Sequence, residues 1–134
     1  MLPPFDDRGY LPPGIHECSF DELAARFGSG SPERIVQIKE LRQFIDWCRQ
    51  SGICRVIVNG SFVTPKASPI DVDVVILPKV GQSIDTLQPE DEDIHWPFLQ
   101  ILVAVDDDDF MEWASVDFAT DRQHCRKGVV EVRL

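Results

Sequence analysis

The residues of this sequence best suited to chemistry lie in residues 60–76, where a small-residue turn is followed by two carboxylates bordering an apolar run. Asp71 and Asp73 are two residues apart, so on a strand both side chains project from one face while Val72 faces the other way. Two carboxylates ~4 Å apart repel by roughly 1 kcal/mol in water and more near a protein surface, a cost that a bound divalent cation reverses. The spacing therefore predicts a magnesium or manganese site on Asp71 and Asp73.

The turn at Gly60 and Ser61 predicts a place for phosphate next to that metal. Glycine lets the backbone approach a ligand closely, and the N–H groups of a turn can face a phosphate oxygen. Ser61 adds a hydroxyl group, and Lys66 adds a positive charge a few residues later. We therefore expect Gly60, Ser61 and Lys66 to bind the phosphates of a nucleoside triphosphate.

A third acid, Asp117, is embedded in the apolar stretch 113–120, which we predict to be a strand. An acid between Val116 and Phe118 is unexpected there, and Asp117 is therefore a candidate third metal-binding carboxylate. Asp121 is the competing choice, but it follows the apolar run and would more naturally end the strand.

The pattern Asn59-Gly60-Ser61, nine residues, Asp71-Val72-Asp73 resembles the nucleotidyltransferase superfamily that includes DNA polymerase beta and the minimal nucleotidyltransferases. The resemblance implies that Asp71, Asp73 and Asp117 are catalytic and hold Mg²⁺ or Mn²⁺. It also implies transfer of a nucleotidyl group from a triphosphate such as ATP to a protein, RNA or small-molecule acceptor. The chain departs from that superfamily at Thr64 and Ile70, where minimal members commonly carry Arg and Ser, and Lys66 is the electrostatic substitute.

The chain is also similar to a small group of bacterial and phage proteins, from Leu11-Pro-Pro-Gly-Ile-His-Glu17 through Gly60-Ser-Phe-Val-Thr64 to Lys127-Gly-Val-Val130. That similarity covers most of the sequence and implies no substrate. It leaves open whether the chain is an enzyme.

Three other functions compete for the central motif. A haloacid-dehalogenase-type phosphatase needs Gly-Thr after its Asp-x-Asp, whereas Val74 and Val75 follow here. Glycosyltransferases are usually much longer chains. The serious alternative is a nucleotidyltransferase-like binding module without catalysis, such as an antitoxin-type partner protein of a toxin–antitoxin pair.

Two helices and two strands are predicted around the motif. Ser19 begins a short helix that ends at Gly28, and Ser31-Pro32-Glu33 begins one over residues 32–50. The second helix carries an apolar stripe of Ile35, Ile38, Leu41, Ile45 and Cys48, with Phe44 alongside. Strands are predicted over residues 53–58 and 72–77, because both are rich in β-branched residues.

The remaining segments are less regular. Residues 1–18 are predicted as an extended strap, 78–93 as a loop and 94–105 as a helix rather than a strand. The acids of residues 106–109 indicate a solvated turn or helix cap rather than a metal site. Gly128 begins a last strand, and the basic cluster Arg122, Arg126 and Lys127 precedes it. The expected fold is a single α+β domain over residues 1–134, with a nucleotidyltransferase-like mixed sheet of about four strands flanked by helices.

Composition limits the classes of partner. A formal net charge of −10 argues against a broad nucleic-acid-binding surface, which needs clustered Lys and Arg. The apolar runs are far shorter than the ~20 residues of a membrane span, and a signal peptide is not indicated. We therefore expect a cytoplasmic protein with no membrane contact, whose partners are a nucleoside triphosphate and a protein partner or acceptor. The four cysteines lack zinc-site spacing and are expected to be free thiols.

Overall fold

The computed structural model describes residues 2–80, 96–117, 120, 121 and 123–134, with the side chains of Val116 and Asp117 outside the description. The described residues form a five-stranded mixed sheet with helices on both faces, as expected for a mixed sheet flanked by helices. The strands are β1 Gly14–Cys18, β2 Ile53–Asn59, β3 Val72–Pro78, β4 Leu99–Val103 and β5 Gly128–Val132. The helices are α1 Phe20–Phe27, α2 Pro32–Gln50 and α3 Asp107–Glu112.

Both helix starts follow the predicted capping signals. The Ser19 hydroxyl accepts a hydrogen bond from the Glu22 backbone N–H at 3.1 Å, and the Ser31 hydroxyl accepts one from the Arg34 N–H at 3.2 Å. These contacts satisfy backbone donors that have no partner within the first turn of a helix. The predicted bounds of α2 are confirmed.

The apolar stripe of α2 is only partly as predicted. Leu41, Ile45 and Cys48 are buried with Phe44, but Ile35 is 45% exposed. The first half of the helix instead buries three polar side chains, Arg34, Gln37 and Glu40. They recur every three residues because this half of α2 covers loops with carbonyl and N–H groups to satisfy, rather than the apolar sheet.

The order of strands in the sheet is β1-β5-β2-β3-β4. β2 is antiparallel to both β3 and β5, while β1 pairs parallel with β5 and β4 pairs parallel with β3. In this arrangement the end of β2 and the starts of β3, β4 and β5 lie at the same end of the sheet. In particular, Asn59 at the end of β2 is opposite Asp73 in β3.

Alternating residues of the strands fill a core on each face of the sheet. On one face α1 and α2 pack over Val56, Val58, Val74 and their neighbours. On the other face, Phe110 and Ala114 cover Ile57, Val75 and Leu77. Since Asp73 alternates with Val74, it lies on the second face, the face covered by α3.

Two predicted elements are wrong, and the strap contains a strand. Residues 99–103 form strand β4, not a helix, because pairing with β3 decides a short apolar run that has no clear period. Residues 113–117 form a π-helical turn that continues α3 rather than a strand. Gly14–Cys18, predicted as part of the strap, pairs with β5 as the fifth strand. The predicted loop at 78–93 falls largely on residues 81–93, outside the described part of the chain.

The acids at residues 106–109 cap α3, as predicted for a helix cap. The Asp106 carboxylate accepts from the Asp109 backbone N–H at 2.8 Å. None of the helices in the described residues is long and apolar enough to span a membrane.

Candidate functional site

The Asp73 carboxylate packs directly against the turn at Gly60. Gly60 has φ +85°, a conformation that favours glycine, and a Cβ at this position would collide with Oδ2 of Asp73 and lie 3.1 Å from its Cγ. The antiparallel pairing of Asn59 with Asp73 produces this contact, because Gly60 follows Asn59. The predicted proximity of the Gly60–Ser61 turn to this carboxylate is therefore present in the structure.

Asp71 and Asp73 influence each other electrostatically. Both are half-buried at the start of β3. Burial raises the pKa of Asp73, the charge of Asp71 raises it further, and Lys127 acts in the opposite direction. The pair is thus a partly desolvated negative site that favours a cation or a proton.

Lys127 is the cation that the protein itself supplies. It directly precedes β5, which brings it to the same end of the sheet as Asp73. Burial lowers its pKa, while the carboxylates of Asp73 and Asp121 favour its charged form. Sequence reasoning placed Lys127 in a basic cluster without assigning it to the site, since its proximity to Asp73 depends on the pairing of β5 with β2.

A cleft of about 600 Å³ opens beside these residues. It is lined by Tyr10, Ser61, Lys66, Thr120, Asp121, Gln123 and Lys127. The cleft therefore brings together the predicted phosphate-binding residues Ser61 and Lys66, and it adds Lys127. Among the described residues of the lining, two lysines against one aspartate give a positive balance, in a chain whose net charge is −10.

The loop that carries Ser61 and Lys66 is held by a buried arginine of α2. The Arg34 guanidinium donates to the backbone carbonyls of Phe62 at 2.8 Å, Thr64 at 2.6 Å and Lys66 at 2.6 Å. It also donates to the Phe27 carbonyl at 3.0 Å. Burial lowers the pKa of Arg34 below its usual range. Gln37 extends this support by donating to the Pro69 carbonyl at 2.6 Å.

The two candidates for the third acid have different positions. The Asp121 carboxylate accepts hydrogen bonds from the Cys125 N–H, from the Tyr10 hydroxyl at 2.9 Å and from the Gln123 N–H. All three hydrogen bonds lower the pKa of Asp121, the one from Cys125 most. These partners make Asp121 the cap of a turn at the cleft wall. Asp117 is the last residue of the π-helical turn, and its side chain is not among those that the structure describes.

The fit of the site to a divalent ion is therefore partial. Among the described side chains, no three His, Cys, Asp or Glu residues converge to hold a metal. Asp71 and Asp73 supply two hard oxygen ligands of the kind that magnesium takes. The predicted three-acid set depends on Asp117 and stays a prediction.

A smaller cleft of about 270 Å³ lies beside Asp73. It is lined by Asp73, Gln100, Ile101 and Leu102. Gln100 is directly beside Asp73 in the parallel pairing of β3 with β4. Gln100 was not predicted as a site residue, because residues 94–105 were predicted to be a helix. Only a strand at these positions places Gln100 beside Asp73.

The two buried cysteines, Cys18 and Cys48, are not candidates for nucleophilic chemistry. All four cysteines are free. Burial raises the pKa of Cys18 to about 11 and that of Cys48 to about 12, which keeps both thiols protonated near neutrality. His16 is held by a hydrogen-bond contact between its ring nitrogen and the Pro12 carbonyl at 2.6 Å, a structural role.

Comparison with known proteins adds one finding to this geometry. No curated protein and no solved structure matches the chain. The DUF6932 family, described as a family of unknown function, matches residues 3–133. The chain, with the carboxylate pair and glycine turn described above, belongs to the DUF6932 family.

Proposed function

We propose that this protein is a nucleotidyltransferase that moves a nucleotidyl group from a nucleoside triphosphate to a hydroxyl or phosphate of a protein, RNA or small-molecule acceptor. The observation that carries the proposal is the contact of the Asp73 carboxylate with the Gly60 turn. It puts a carboxylate that could hold a metal ion beside a turn whose N–H groups could face a phosphate oxygen. The resemblance of the Gly60-Ser61 and Asp71-Val72-Asp73 motifs to the nucleotidyltransferase superfamily supports the same function.

The cleft next to that contact suits a triphosphate. The Ser61 hydroxyl, Lys66 and Lys127 line a volume of about 600 Å³, within the range of small-ligand sites. In the proposed complex the β- and γ-phosphates lie at the Gly60–Ser61 turn, where both lysines balance their charge. Arg34 keeps the loop in place by binding its carbonyl groups from behind.

The carboxylates orient the reacting end of the triphosphate. Asp71 and Asp73 would hold magnesium or manganese, and Asp117 would complete the set. When bound, such an ion lowers the pKa of the attacking group and neutralises the departing pyrophosphate. The half-buried position of Asp73 strengthens its interaction with positive charge, since water screens it less.

The decisive experiment is label transfer. The protein is incubated with each α-labelled triphosphate, Mg²⁺ or Mn²⁺, and a pool of protein, RNA or small-molecule acceptors. We expect transfer of label by the wild type and a loss of at least about 100-fold in Asp73→Asn, because charge in the transition state loses its partner. Asp108→Asn, an exposed acid of α3, is the matched control and should keep full activity. No transfer with any triphosphate would contradict the proposal.

Metal binding is tested separately by thermal unfolding. A ligand that binds only the folded state raises the unfolding temperature by mass action. We expect Mg²⁺ to raise the midpoint in the wild type and in Asp108→Asn, but not in the double variant Asp71→Asn/Asp73→Asn. An equal shift in all three proteins would place the ion elsewhere.

A second candidate function, a binding module without catalysis, is favoured by one observation. Lys127 already gives Asp73 a positive neighbour within the protein, so the carboxylate has a counter-charge without a metal. In that case the fold acts as an antitoxin-type partner. Tight binding to a protein encoded by a neighbouring gene, without nucleotide and without label transfer, would favour this function.

A further inference from the structure

Strand β4 has an edge to which a further strand can be added. It pairs with β3 on one side, and within the described residues no strand pairs with its other side. We propose that a second copy of this chain pairs with β4 through its own β4, antiparallel, to give one sheet continuous across a twofold axis at Ile101. This interaction surface is independent of the proposed nucleotidyl transfer.

The composition of β4 suits pairing between two copies. Residues 96–105 carry no charged side chain, although 27% of the whole sequence is charged. Edge strands of monomeric proteins usually carry Lys, Pro or a bulge that prevents addition of a strand. Leu99–Val103 has neither Lys nor Pro, and its pairing with β3 runs without a register shift.

Exposed apolar side chains lie at both ends of β4. Phe98 is 38% exposed at the start of β4, and Val105 is 78% exposed just beyond its end. Ile70 is 81% exposed close to the start of the strand, since the Val72 N–H donates to the Phe98 carbonyl at 2.8 Å. These side chains leave apolar surface at both ends of β4 that a second copy would cover.

Charge selects an antiparallel second copy. Four acids, residues 106–109, begin three residues after the end of β4. Parallel pairing would bring the two acidic runs side by side, where they repel. In antiparallel pairing about Ile101, the two Asp106 residues are about 33 Å apart along the strands, at ~3.3 Å per residue. That distance exceeds the Debye length of about 8 Å at physiological salt.

The second copy would also close the smaller cleft at Asp73. In the proposed register, Gln100 faces Leu102 of the second copy, and both lie on the face that carries Asp73. The cleft is lined by Asp73 and by Gln100, Ile101 and Leu102 of this edge strand. A neighbouring β4 would form a wall that one copy alone lacks.

The dimer should be weak, because a ladder of two five-residue strands buries little area. Interfaces below about 1,200 Å² are typical of transient complexes. We therefore expect the mass measured by sedimentation equilibrium to rise from monomer towards dimer over about three decades of protein concentration. Ile101→Lys places two positive charges on the axis and should raise the dissociation constant about 10-fold or more. Val36→Lys, an exposed apolar site on α2, is the control and should leave it unchanged.

The register is tested by disulfide cross-linking in a Cys54→Ser background, which removes the exposed native thiol. Ile101→Cys places two thiols opposite each other, with Cα atoms about 4.5–5.5 Å apart, within disulfide range. Val103→Cys is the matched control on the same face, where the two residues would be about 13 Å apart. We expect rapid cross-linking of the first variant alone. A monomer at every concentration, or equal cross-linking of both variants, would overturn the proposal.

Discussion

Gly60 is the residue at which backbone geometry and side-chain chemistry meet. We expect Gly60→Ala to lower the free energy of unfolding by about 2–4 kcal/mol, from a strained positive φ plus a collision with the Asp73 carboxylate. Gly30→Ala separates the two causes, because Gly30 also has positive φ (+103°) but nothing within 4 Å of an added Cβ. Denaturant unfolding of both variants measures the difference. Equal losses would mean that Asp73 moves away without cost.

Asp73 should reduce stability at neutral pH. Burial and the charge of Asp71 raise the pKa of Asp73 in the folded protein. The folded state therefore favours the protonated form: the free energy of unfolding is highest below the unfolded pKa of Asp73 and falls as pH rises through its folded pKa. We expect Asp73→Asn to have a higher free energy of unfolding than the wild type near pH 7, where the aspartate is charged and the asparagine is not. The advantage should shrink as pH falls through the raised pKa of folded Asp73, and it should be gone below the ordinary Asp value of 3.8.

The check is the unfolding free energy of both proteins as a function of pH without divalent ions. Asp108→Asn provides the comparison for the loss of one exposed charge. A variant no more stable than the wild type at pH 7 would show that Lys127 offsets the burial of Asp73 in full.

At the scale of elements, α2 supports the loop that carries Ser61 and Lys66. Arg34→Ala leaves four carbonyls, those of Phe27, Phe62, Thr64 and Lys66, without their donor. We expect a loss of about 2–5 kcal/mol in unfolding free energy, as for other buried charged groups that lose a partner. Arg34→Lys should recover only part of it, because a lysine cannot present the fork of donors.

Hydrogen exchange separates a local effect from general instability. The amides of residues 61–66 should exchange faster in Arg34→Lys, whereas those of β2 and β3 should keep their protection. Lys39→Ala, at an exposed site of the same helix, is the control. Uniform loss of protection across the sheet would show that Arg34 stabilises the whole fold rather than the loop.

The elements that sequence predicted are those whose signals are local. Caps at Ser19 and Ser31 and runs of β-branched residues identified α1, α2, β2, β3 and β5. β1 and β4 were not predicted, because they form strands by pairing with residues distant in sequence. Gly14 pairs with Gly128, and Leu99 pairs with Val72. The alternation around Asp117 resembled a strand, but the cap at Asp106 begins a helix that continues into this segment.

The candidate site divides in the same way. Gly60, Ser61 and Asp73 were predictable together because a single hairpin-like pair of neighbouring strands joins them. Lys127 and Gln100 lie near Asp73 only because β5 pairs with β2 and β4 pairs with β3. No local sequence pattern predicts those pairings. The buried polar residues of α2 were not predicted for a related reason. Arg34 and Gln37 donate to carbonyls some 30 residues further along the chain, and Glu40 accepts from the Phe98 N–H, 58 residues away.

At the scale of the whole molecule, the negative net charge should prevent non-specific binding to nucleic acids. The net charge is −10, and non-specific binding requires several phosphate contacts from Lys and Arg. We expect no mobility shift of double-stranded DNA or RNA even at low salt, where such contacts are strongest. Salt-dependent binding with a slope of several ions would contradict this and indicate a concentrated basic surface.

The position of β5 makes β2 vulnerable while the chain is being synthesised. β5 is the last of the described strands in sequence, yet it lies between β1 and β2 in the sheet. At about 5–20 residues per second, residues 128–132 follow β2 from the ribosome only after several seconds. During that interval Ile53–Asn59 exposes an unpaired edge of Ile and Val residues, a template for misassociation. Arg55 is the charged residue within that edge, and it pairs with Glu131 only when β5 arrives, with Nη2 and Oε1 2.6 Å apart.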